Sequence, residues 1–510
     1  MLLVLLMLGA VLVIIFDDGD SGRKLAWLLI IAVFPVIGIV LYLMIGVNYR
    51  HHWFFNRRHL KYLETFRTQA DDRLRELLEG DADLQQVRPA WRPLVKLLAT
   101  EDSNTVTGGN TVEVMTNGKR KFDLLEADLL RAKEYIHVEY FLFGNDTGSR
   151  RIKEILMQKA REGVKVRFIH ENIANLTIRD SYYNEMREAG AEVVKFTNPR
   201  KHPLNLVTYL NYRDHRKIVV IDGRIGFTGG MNIKDRYFLE WRDTHMRITG
   251  PAVASLQNSF LNSWLTAGGT LDRHYMYYFP IADPVPSLAA AGEAPSLSFR
   301  ASNASGGISR ASDDIPSPDL SAPLPVLRDV LVQIVPDEPD FRWPITQMGY
   351  VWAAQNAKDY LYLQTPYFVP PEPVLDALKS AALSGVDVRL MLPEKADSSY
   401  MSPANKSFFS ECLAAGIRIY ERGGNFMHSK TFVCDDYLSQ IGTANIDYRS
   451  FSINYEVNTF LFDEAAARLN KGIFLKDLEA STEITQPEWN RRPWYRKLLE
   501  RIVRLFSPLL

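Results

Sequence analysis

The stretch DHRKIVVIDGRIGFTGGMN at residues 214–232 decides the fold, because MHSKTFVCDDYLSQIGTAN at 427–445 repeats its spacing. The intervals are counted from the histidine of each copy. A lysine lies two residues after it, an aspartate seven, a glycine fourteen, an asparagine seventeen and an acid twenty-eight. The matched residues are His215, Lys217, Asp222, Gly229, Asn232 and Asp243, and then His428, Lys430, Asp435, Gly442, Asn445 and Glu456. A repeated set of this kind indicates an internal duplication.

Segments on either side of the two motifs are duplicated as well. The matching pairs are AKEYIHVEYF at 132–141 with AKDYLYLQTPYF at 357–368, and REGVKVRFI at 161–169 with LSGVDVRLM at 383–391. Each is a helix end followed by a strand rich in β-branched or aromatic residues, which is typical of α/β units with largely parallel sheets. We therefore predict an α/β fold of two tandem halves, at 110–283 and 328–484.

The motif places three kinds of polar group together. Side chains two residues apart on a strand project from the same face, so each histidine presents an imidazole beside a lysine ammonium. A turn then returns the chain as a hairpin and brings each asparagine to the same end. Together these groups fit a phosphoryl group, whose oxygens gain negative charge in the transition state. The candidate phosphate-binding or supporting residues are Asn232, Asn445, Gly229, Gly442, Asp243 and Glu456.

Two histidines allow two catalytic roles. One can attack phosphorus to form a phosphohistidine, while the other protonates the leaving alkoxide and later deprotonates the acceptor. Asp243 and Glu456 would each accept a hydrogen bond from the far ring nitrogen of a histidine. Asp222 and Asp435 belong to the candidate catalytic motif, but their odd offset at the turn favours bracing the hairpin over touching substrate. The motif lacks a metal-ligand cluster, so we predict no metal.

The N-terminus is strongly apolar. The uncharged run Leu25–Val47 can span a hydrocarbon core of about 30 Å, with a kink expected near Pro35. Met1–Phe16 is shorter and is either a short or tilted span, a truncated span or a signal-peptide core. The absence of a basic start disfavours the signal peptide. We predict a transmembrane helical hairpin over 1–48 and a basic juxtamembrane region over 49–109. The positive-inside rule then places the catalytic part in the cytoplasm, at the cytoplasmic membrane.

Two further segments lie outside the halves. Residues 284–327 are rich in Pro, Ala and Ser and poor in aromatics, so we predict a flexible linker or insert. Residues 485–510 space apolar side chains three and four apart among basic ones, which predicts a basic amphipathic helix. Such a helix either docks on the protein or lies on anionic lipid, and the pattern allows both.

Composition narrows the function classes. Sixty basic residues balance sixty acidic ones, and no basic stripe of the kind that nucleic acid requires runs along the chain. At 510 residues and 46% hydrophobic composition, the chain can bury more than one core. We therefore expect a multidomain protein without a nucleic-acid partner. A membrane anchor suits an enzyme that acts on lipid. The alternative is a membrane tether on an unrelated catalytic domain.

The two H-x-K-x-x-x-x-D motifs, each followed by G-x-x-N, resemble those of the phospholipase D superfamily. The resemblance covers about residues 110 to 460. It implies that the two halves pack about a pseudo-twofold axis and form one active site at their interface. It also implies a covalent phosphohistidine and no metal or other cofactor. In that family the first histidine is often the nucleophile, which here is His215.

NYRDHRKIVVIDGRIGFTGGMNI and WRDTHMRITGP are similar to the bacterial cardiolipin synthase branch of that superfamily. This resemblance implies transfer of a phosphatidyl group from one phosphatidylglycerol to another, with release of glycerol. A hydrolase of the same superfamily, a phospholipase or a nuclease, is the alternative enzyme, and a membrane scaffold that has lost catalysis is the alternative outside enzymes. Tyr140 and Tyr367 either line the site or pack in the core. The oligomeric state stays open.

Overall fold

The computed structural model describes most of the chain. The described residues are 2–16, 21–42, 81–101, 106–196, 212–273, 275–280, 318–320, 322–339 and 341–507. The parts of the predicted organisation that lie outside them include residues 17–20 and 43–48 of the N-terminal hairpin, 49–80 and 102–105 of the juxtamembrane region, 197–211 of the first half, 284–317 of the linker and 508–510 of the C-terminal helix.

Strands make the frame of the fold. In chain order they are β1 (Thr107–Met115), β2 (Tyr135–Tyr140), β3 (Lys165–His170), β4 (Glu192–Lys195), β5 (Lys217–Ile221), β6 (Ile225–Gly229), β7 (His245–Thr249), β8 (Val326–Asp337), β9 (Tyr360–Gln364), β10 (Phe368–Val369), β11 (Asp387–Pro393), β12 (Arg418–Arg422), β13 (Thr431–Cys434), β14 (Leu438–Gly442), β15 (Ile446–Asp447), β16 (Glu456–Phe462) and β17 (Ser481–Ile484). Within the described residues, fifteen of them form one continuous sheet, and β10 pairs separately with β15.

The strand order shows the predicted duplication. From one edge to the other it is β17-β12-β11-β9-β13-β14-β16-β8-β1-β7-β6-β5-β2-β3-β4. Outward from the antiparallel central pair of β1 and β8, the series β1-β7-β6-β5-β2-β3-β4 matches β8-β16-β14-β13-β9-β11-β12, and β17 extends the second half. The two halves are therefore related by a pseudo-twofold axis between β1 and β8, and they share one sheet.

The expectation of largely parallel sheets is wrong. In the large sheet formed by the described residues, pairing is parallel only among β2, β3 and β4 and among β9, β11 and β12, and every other recorded pairing there is antiparallel. The reason is the duplicated motif itself, because each copy folds as a hairpin, β5 with β6 and β13 with β14. The next strand in each half, β7 or β16, returns antiparallel beside it.

Helices cover the faces of the sheet. The described α-helices are Leu2–Phe16, Ser21–Val33, Pro35–Leu41, Asp81–Gln86, Arg92–Leu98, Gly118–Arg131, Thr147–Arg161, Asp180–Glu188, Asp235–Leu239, Ala252–Thr266, Ile345–Asn356, Glu372–Leu383, Met401–Lys406, Phe409–Ala414, Tyr448–Ser452, Glu464–Leu478, Gln486–Asn490 and Trp494–Arg504. Several begin at side-chain caps: Asn117 accepts from Arg120 N, and Asp463 accepts from Ala466 N. These caps satisfy amide groups that the first turn leaves without partners.

One apolar core crosses the boundary between the halves. Val112 of β1, Val332 and Ile334 of β8 and Val457 of β16 are buried together with side chains of the helix Ala252–Thr266. Each half also has a core of its own between the outer strands and their helices. Because the shared core lies at the centre of the sheet, neither half can move far from the other without exposing apolar surface.

Two buried arginines add polar contacts across the same boundary. Arg216 donates through Nε to the carbonyl oxygen of Glu456 at 3.1 Å and through Nη2 to Glu338 Oε1 at 2.9 Å. Arg242 donates through Nε and Nη2 to the carboxylate of Asp477 at 3.2 and 2.8 Å. Each arginine adjoins a motif residue of its own half, so these contacts fix the two motifs relative to each other.

The N-terminal apolar segments form helices at the predicted places. Leu2–Phe16 is followed by Ser21–Val33 and Pro35–Leu41, and the interruption at Phe34 agrees with the predicted kink, because proline lacks the N–H that would continue the helix. Of the helices in the described ranges, none has both the length and the apolarity needed to cross a bilayer. The transmembrane hairpin over 1–48 therefore stays a prediction.

Candidate active site

The two histidines lie where the halves interlock. His215 precedes β5, and its amide donates to the carbonyl oxygen of Tyr455 at 2.9 Å. His428 precedes β13, and its amide donates to the carbonyl oxygen of Arg242 at 2.7 Å. The histidines therefore stand just before the strands, not on them as the sequence suggested. Each is tied by its backbone to the residue immediately before the late acid of the other half.

The acids cross between the halves. His215 Nδ1 lies 3.0 and 2.9 Å from the two carboxylate oxygens of Glu456, and His428 Nδ1 lies 2.7 Å from Asp243 Oδ2. The predicted contact of each late acid with a histidine is present, but each partner belongs to the opposite half, which the sequence did not indicate. With Nδ1 donating to a carboxylate, the lone pair of each ring lies on Nε2. Both rings are thus oriented for chemistry at Nε2.

The two acids differ because their surroundings differ. Thr443 Oγ1 donates to Glu456 Oε2, which holds the longer side chain from behind. The residue at the same position in the first copy is Gly230, and a Cβ there would lie 2.1 Å from Asp243 Oδ1. The shorter acid therefore packs directly against a glycine and takes a further hydrogen bond from the amide of Thr244. Each half therefore positions its acid, Glu456 through a threonine hydroxyl and Asp243 through close packing on a glycine and a backbone amide.

Burial keeps both imidazoles neutral at physiological pH. It lowers the pKa of His215 to about 4, with Lys217 acting in the same direction and Glu456 against it. Burial also lowers the pKa of His428 well below the ordinary value, reinforced by the charges of Lys430 and Lys217. A positive charge on His215 would lower the pKa of His428 further.

The pKa values of the two carboxylates shift in opposite directions although both groups are buried. Burial alone would raise the pKa of Glu456, but His215 and Lys217 outweigh it and hold that pKa below the ordinary value. Burial raises the pKa of Asp243 to about 6, and Lys430 only partly offsets it. Glu456 is therefore the more fully ionised partner near neutral pH.

Each lysine returns to the histidine of its own motif. Lys217 Nζ donates to the carbonyl oxygen of His215 at 2.6 Å, and Lys430 Nζ donates to that of His428. Lys430 Nζ also lies 2.9 Å from His428 Nδ1, which places its positive charge beside the ring while Nδ1 donates to Asp243. Burial lowers the pKa of Lys217 to about 7 and that of Lys430 to about 8. The predicted imidazole and ammonium are therefore adjacent in both copies.

The two asparagines are not equivalent. Asn232 accepts from the amide of Leu142 through Oδ1 and donates through Nδ2 to the hydroxyl of Tyr237 at 2.7 Å. The backbone amide of Asn445 donates to Ser450 Oγ, whereas its side-chain Oδ1 is buried with no hydrogen-bond partner among the described residues. Both side chains lie at the end of the hairpin that carries the histidines. Their phosphate contacts stay a prediction.

The motif glycines allow close packing of strands. Gly229 has a φ of +138°, and a Cβ there would lie 2.7 Å from the Cα of His245. A Cβ on Gly442 would lie 1.9 Å from Asn458 Oδ1. His245 and Asn458 each follow a late acid by two residues. The glycines therefore support the site by letting β7 and β16 approach, which brings the acids to the histidines.

The motif aspartates brace the hairpins. The carboxylate of Asp222 accepts from the amides of three successive residues, 133 to 135, at 2.8 to 2.9 Å. Asp435 accepts in the same way from residues 358 to 360, at 2.7 to 3.0 Å. Both residues have a φ of +49° and lie at the ends of β5 and β13 away from the histidines. The structure thus corrects their place among the catalytic candidates, because their oxygens are committed to backbone amides.

Comparison with known proteins identifies the family. A family model described as "Cardiolipin synthase, PLD-like domain" matches residues 125–264 and 351–478, and one described as "Phospholipase D-nuclease N-terminal" matches residues 5–46. The chain is 34% identical over 519 residues to the "Major cardiolipin synthase ClsA" of Bacillus subtilis, covering 99% of this chain and 98% of that protein. The chain belongs to the cardiolipin synthase family of phospholipase D-like proteins.

Further similarities agree with this family. "Cardiolipin synthase 2" of Bacillus cereus is 35% identical over 505 residues, covering 98% of this chain and 89% of that protein. Among solved structures, phosphatidylserine synthase of Haemophilus influenzae superposes with a TM-score of 0.55 at 13% identity, covering 83% of this chain and all of that one. At that identity the superposition shows a shared fold. The predicted resemblance to the phospholipase D superfamily is confirmed.

In this cardiolipin synthase family member, aromatic rings surround both histidines. Phe141 lies edge-on to His215 at 4.8 Å between ring centroids, and Trp241 and Tyr237 lie 5.1 and 5.5 Å from His428. The sequence motifs do not include these residues. Trp241 could have been noticed, because it stands two residues before Asp243 in the segment that resembles the family. The rings limit access of water to both imidazoles.

The two tyrosines proposed as lining residues have different surroundings. Tyr140 is fully buried, and its ring faces the ammonium of Lys121 at 5.0 Å. Tyr367 donates to Asp397 Oδ1 at 2.8 Å, and its pKa is raised mainly by burial, with further contributions from Asp397 and Tyr237. Tyr140 is thus a core residue, whereas Tyr367 lies within electrostatic reach of a ring that contacts His428.

An arginine beside His428 was also missed. Arg236 places its guanidinium carbon 4.1 Å from the centre of the Trp241 ring, and its charge is among those that lower the pKa of His428. It follows Asn232 by four residues, and Arg449 follows Asn445 by the same interval. This repeated interval could have identified Arg236 as a candidate site residue from the sequence. Arg236 adds a positive charge on the His428 side of the site, where an anionic lipid phosphate would be attracted.

Proposed function

We propose that this protein synthesises cardiolipin by transferring the phosphatidyl group of one phosphatidylglycerol to the hydroxyl of a second and releasing glycerol. The observation that carries the proposal is the crossed arrangement of two neutral imidazoles, each held at Nδ1 by a carboxylate of the other half and each beside a lysine. Two imidazoles whose lone pairs lie on Nε2 suit two successive displacements at one phosphorus. The lysines and Arg236 suit the anionic lipid.

The first displacement forms a phosphohistidine. In our proposal Nε2 of His215 attacks phosphorus and the bond from phosphorus to the glycerol oxygen breaks. His428, which takes up a proton when the anionic phosphodiester binds beside it and raises its pKa, gives that proton to the leaving oxygen. In addition to the family resemblance, two features favour His215 as the nucleophile. Both oxygens of Glu456 hold its Nδ1, and Glu456 has the lower pKa of the two acids, so its charge supports the imidazole as positive charge develops.

The second displacement completes the transfer. His428, now neutral, takes the proton of the acceptor hydroxyl, the freed oxygen attacks phosphorus, and the bond from phosphorus to His215 Nε2 breaks. Lys217 and Lys430 stabilise the negative charge that builds on the phosphoryl oxygens in both steps. The scheme uses only these side chains and predicts full activity in the presence of a metal chelator.

We propose that the N-terminal helices hold the enzyme at the bacterial cytoplasmic membrane, with the catalytic halves on the cytoplasmic side. The support is the match of residues 5–46 to a family-specific N-terminal model, the apolar side chains that these helices expose, and the basic residues that follow in the sequence. A lipid substrate resides where such an anchor places the active site. A multi-pass topology remains part of the proposal.

A product assay tests the proposed function. Purified full-length protein in vesicles of phosphatidylglycerol is expected to yield cardiolipin and glycerol in equal amounts, with or without a chelator. Thin-layer chromatography or mass spectrometry resolves the lipids, and an enzymatic assay measures glycerol. Phosphatidic acid as the sole lipid product would instead identify the alternative, a hydrolase in which water resolves the phosphohistidine. Inhibition by chelator that one metal reverses would contradict the metal-free scheme.

The lysines predict a dependence on pH. In the unliganded site Lys217 and Lys430 lose their protons as pH rises through about 7 and about 8. Because kcat/KM follows ionisations of the free enzyme, it is expected to fall as pH rises through about 7 and then about 8. A bound phosphodiester raises both lysine pKa values, so kcat is expected to hold to higher pH. Steady-state kinetics from about pH 6 to about pH 10 measure both parameters, and a kcat/KM that stays level throughout would contradict the prediction.

A further inference from the structure

The helix Trp494–Arg504 and the residues after it present an apolar surface to the outside. Trp494 is 74% exposed and Leu505 68%, and Leu498, Leu499, Ile502 and Phe506 are each at least 45% exposed. At 3.6 residues per turn these side chains cover an arc of about 140° on one side of the helix. So many large apolar side chains on one exposed surface indicate a contact with something other than water.

The opposite side of this helix is docked on the protein. Glu500 is buried and pairs with Arg492, and Arg504 pairs with Glu411 and donates to the carbonyl oxygen of Ser407. Val503 packs against the core of the second half. The helix is therefore held in one orientation. The docked interpretation of the sequence holds for this side, and it leaves the apolar side pointing outward.

The charges around the apolar surface are positive. Arg491, Arg496 and Arg501 are exposed, and no ion pair is recorded for them among the described residues. The one acid in Trp494–Arg504 is Glu500, whose charge is buried against Arg492. An apolar arc flanked by exposed arginines suits the headgroup region of an anionic bilayer. It does not suit a second copy of the same surface, since the arginines of two copies would repel each other.

The helix is connected to the active site by a short series of contacts. Ser407, which accepts from Arg504, belongs to the same segment as Asn405. Asn405 accepts from the amide of Phe368 and donates to the carbonyl oxygen of Pro366. These two residues flank Tyr367, and Phe368 pairs with Ile446 of β15, which directly follows the motif residue Asn445. The helix therefore lies on a part of the protein that is continuous with the rim of the site.

We propose that the exposed side of Trp494–Arg504 is a membrane-docking surface that binds anionic lipid and fixes the catalytic halves against the bilayer. A contact at the C-terminal helix would restrain the orientation of the catalytic halves, in addition to the anchor proposed for the N-terminal helices. The proposal concerns this surface and does not depend on whether water or a lipid hydroxyl resolves the phosphohistidine, so a hydrolase outcome of the product assay leaves it intact.

A site-specific probe tests the surface in the full-length protein. Leu498→Cys carries an environment-sensitive fluorophore, and Cys412 and Cys434 do not compete because both are buried. On phosphatidylglycerol vesicles the emission is expected to shift to shorter wavelength and to be quenched by brominated lipid, with no change on phosphatidylcholine vesicles. A probe that stays in water on phosphatidylglycerol, or that responds equally on both lipids, would overturn the proposal. A shift without vesicles that grows with protein concentration would indicate self-association and also overturn it.

A charge substitution tests the consequence for activity. The double variant Leu498→Asp and Ile502→Asp is expected to raise KM for vesicular phosphatidylglycerol by about tenfold or more while leaving turnover of a short-chain, monomeric phosphatidylglycerol unchanged. Leu383→Asp is the matched control, since Leu383 is 73% exposed at the end of Glu372–Leu383. An equal loss on both substrates, or an equal effect of the control, would contradict membrane docking.

Discussion

Replacing His215 or His428 with alanine is expected to reduce cardiolipin formation by at least about 10⁴-fold while leaving the fold intact. Each ring has a role in both displacements, so neither loss can be compensated by the other. Both rings are confined at the interface, one by Glu456 and the other by Asp243. Product formation and thermal unfolding are measured on each variant, and near-normal activity of either one would contradict a single site with two histidines.

A histidine outside the site provides the control. His137 is fully buried between Tyr135 and Phe260, with ring centroids 4.7 and 4.5 Å away, and it hydrogen-bonds Gln257. His137→Gln removes a buried imidazole without touching the motifs. It is expected to lower the melting temperature while kcat stays within about twofold of the original. This contrast separates loss of a reacting group from loss of stability.

A phosphatidyl ester of p-nitrophenol separates the two histidines. This leaving group needs no proton, so the variant that lacks only the general acid can still form the phosphohistidine. With His215 as nucleophile, His428→Ala is expected to release one equivalent of p-nitrophenolate in a burst, and His215→Ala is expected to release none. Stopped-flow absorbance records the burst. The reverse pattern would assign the nucleophile to His428.

The duplicated motif carried the prediction of two halves, because a spacing shared over twenty-eight residues requires the same hairpin twice. It also led to the correct view of Asp222 and Asp435, since an odd offset on a strand points away from the reacting face. The continuous sheet could not be predicted in the same way. The central pairing of β1 with β8 depends on which strand edges meet after each half has folded, and no local pattern encodes it.

The crossed pairing of acids and histidines was hidden for a related reason. Within one motif copy, His215 is nearer in sequence to Asp243, yet the fold gives it Glu456, 241 residues away. Residues at positions where the two copies differ were missed as well. Thr443 has Gly230 as its counterpart, so its hydroxyl contact with Glu456 has no repeated signal. The repeat in the sequence indicated the chemistry that the two halves share. The contacts that differ between the halves depend on the folded structure.

Removing the charge of the late acids is expected to have the second-largest effect. Glu456→Gln should lower kcat by about 10²- to 10⁴-fold, because an amide neither stabilises the imidazolium nor fixes the tautomer of His215. Asp243→Asn should have the smaller effect near neutral pH, since burial raises the pKa of Asp243 to about 6 and part of its charge is already lost there. Steady-state kinetics on phosphatidylglycerol vesicles measure both variants.

The crossed geometry makes these two variants distinguishable by the step that each one slows. Glu456 supports the proposed nucleophile, so Glu456→Gln should slow the p-nitrophenolate burst. Asp243 supports the proposed acid, so Asp243→Asn should leave the burst almost unchanged and slow only transfer from the natural lipid. If acids and histidines acted within their own halves instead, Asp243→Asn would slow the burst and Glu456→Gln would spare it. The burst rates of the two variants therefore test the interlocked site directly.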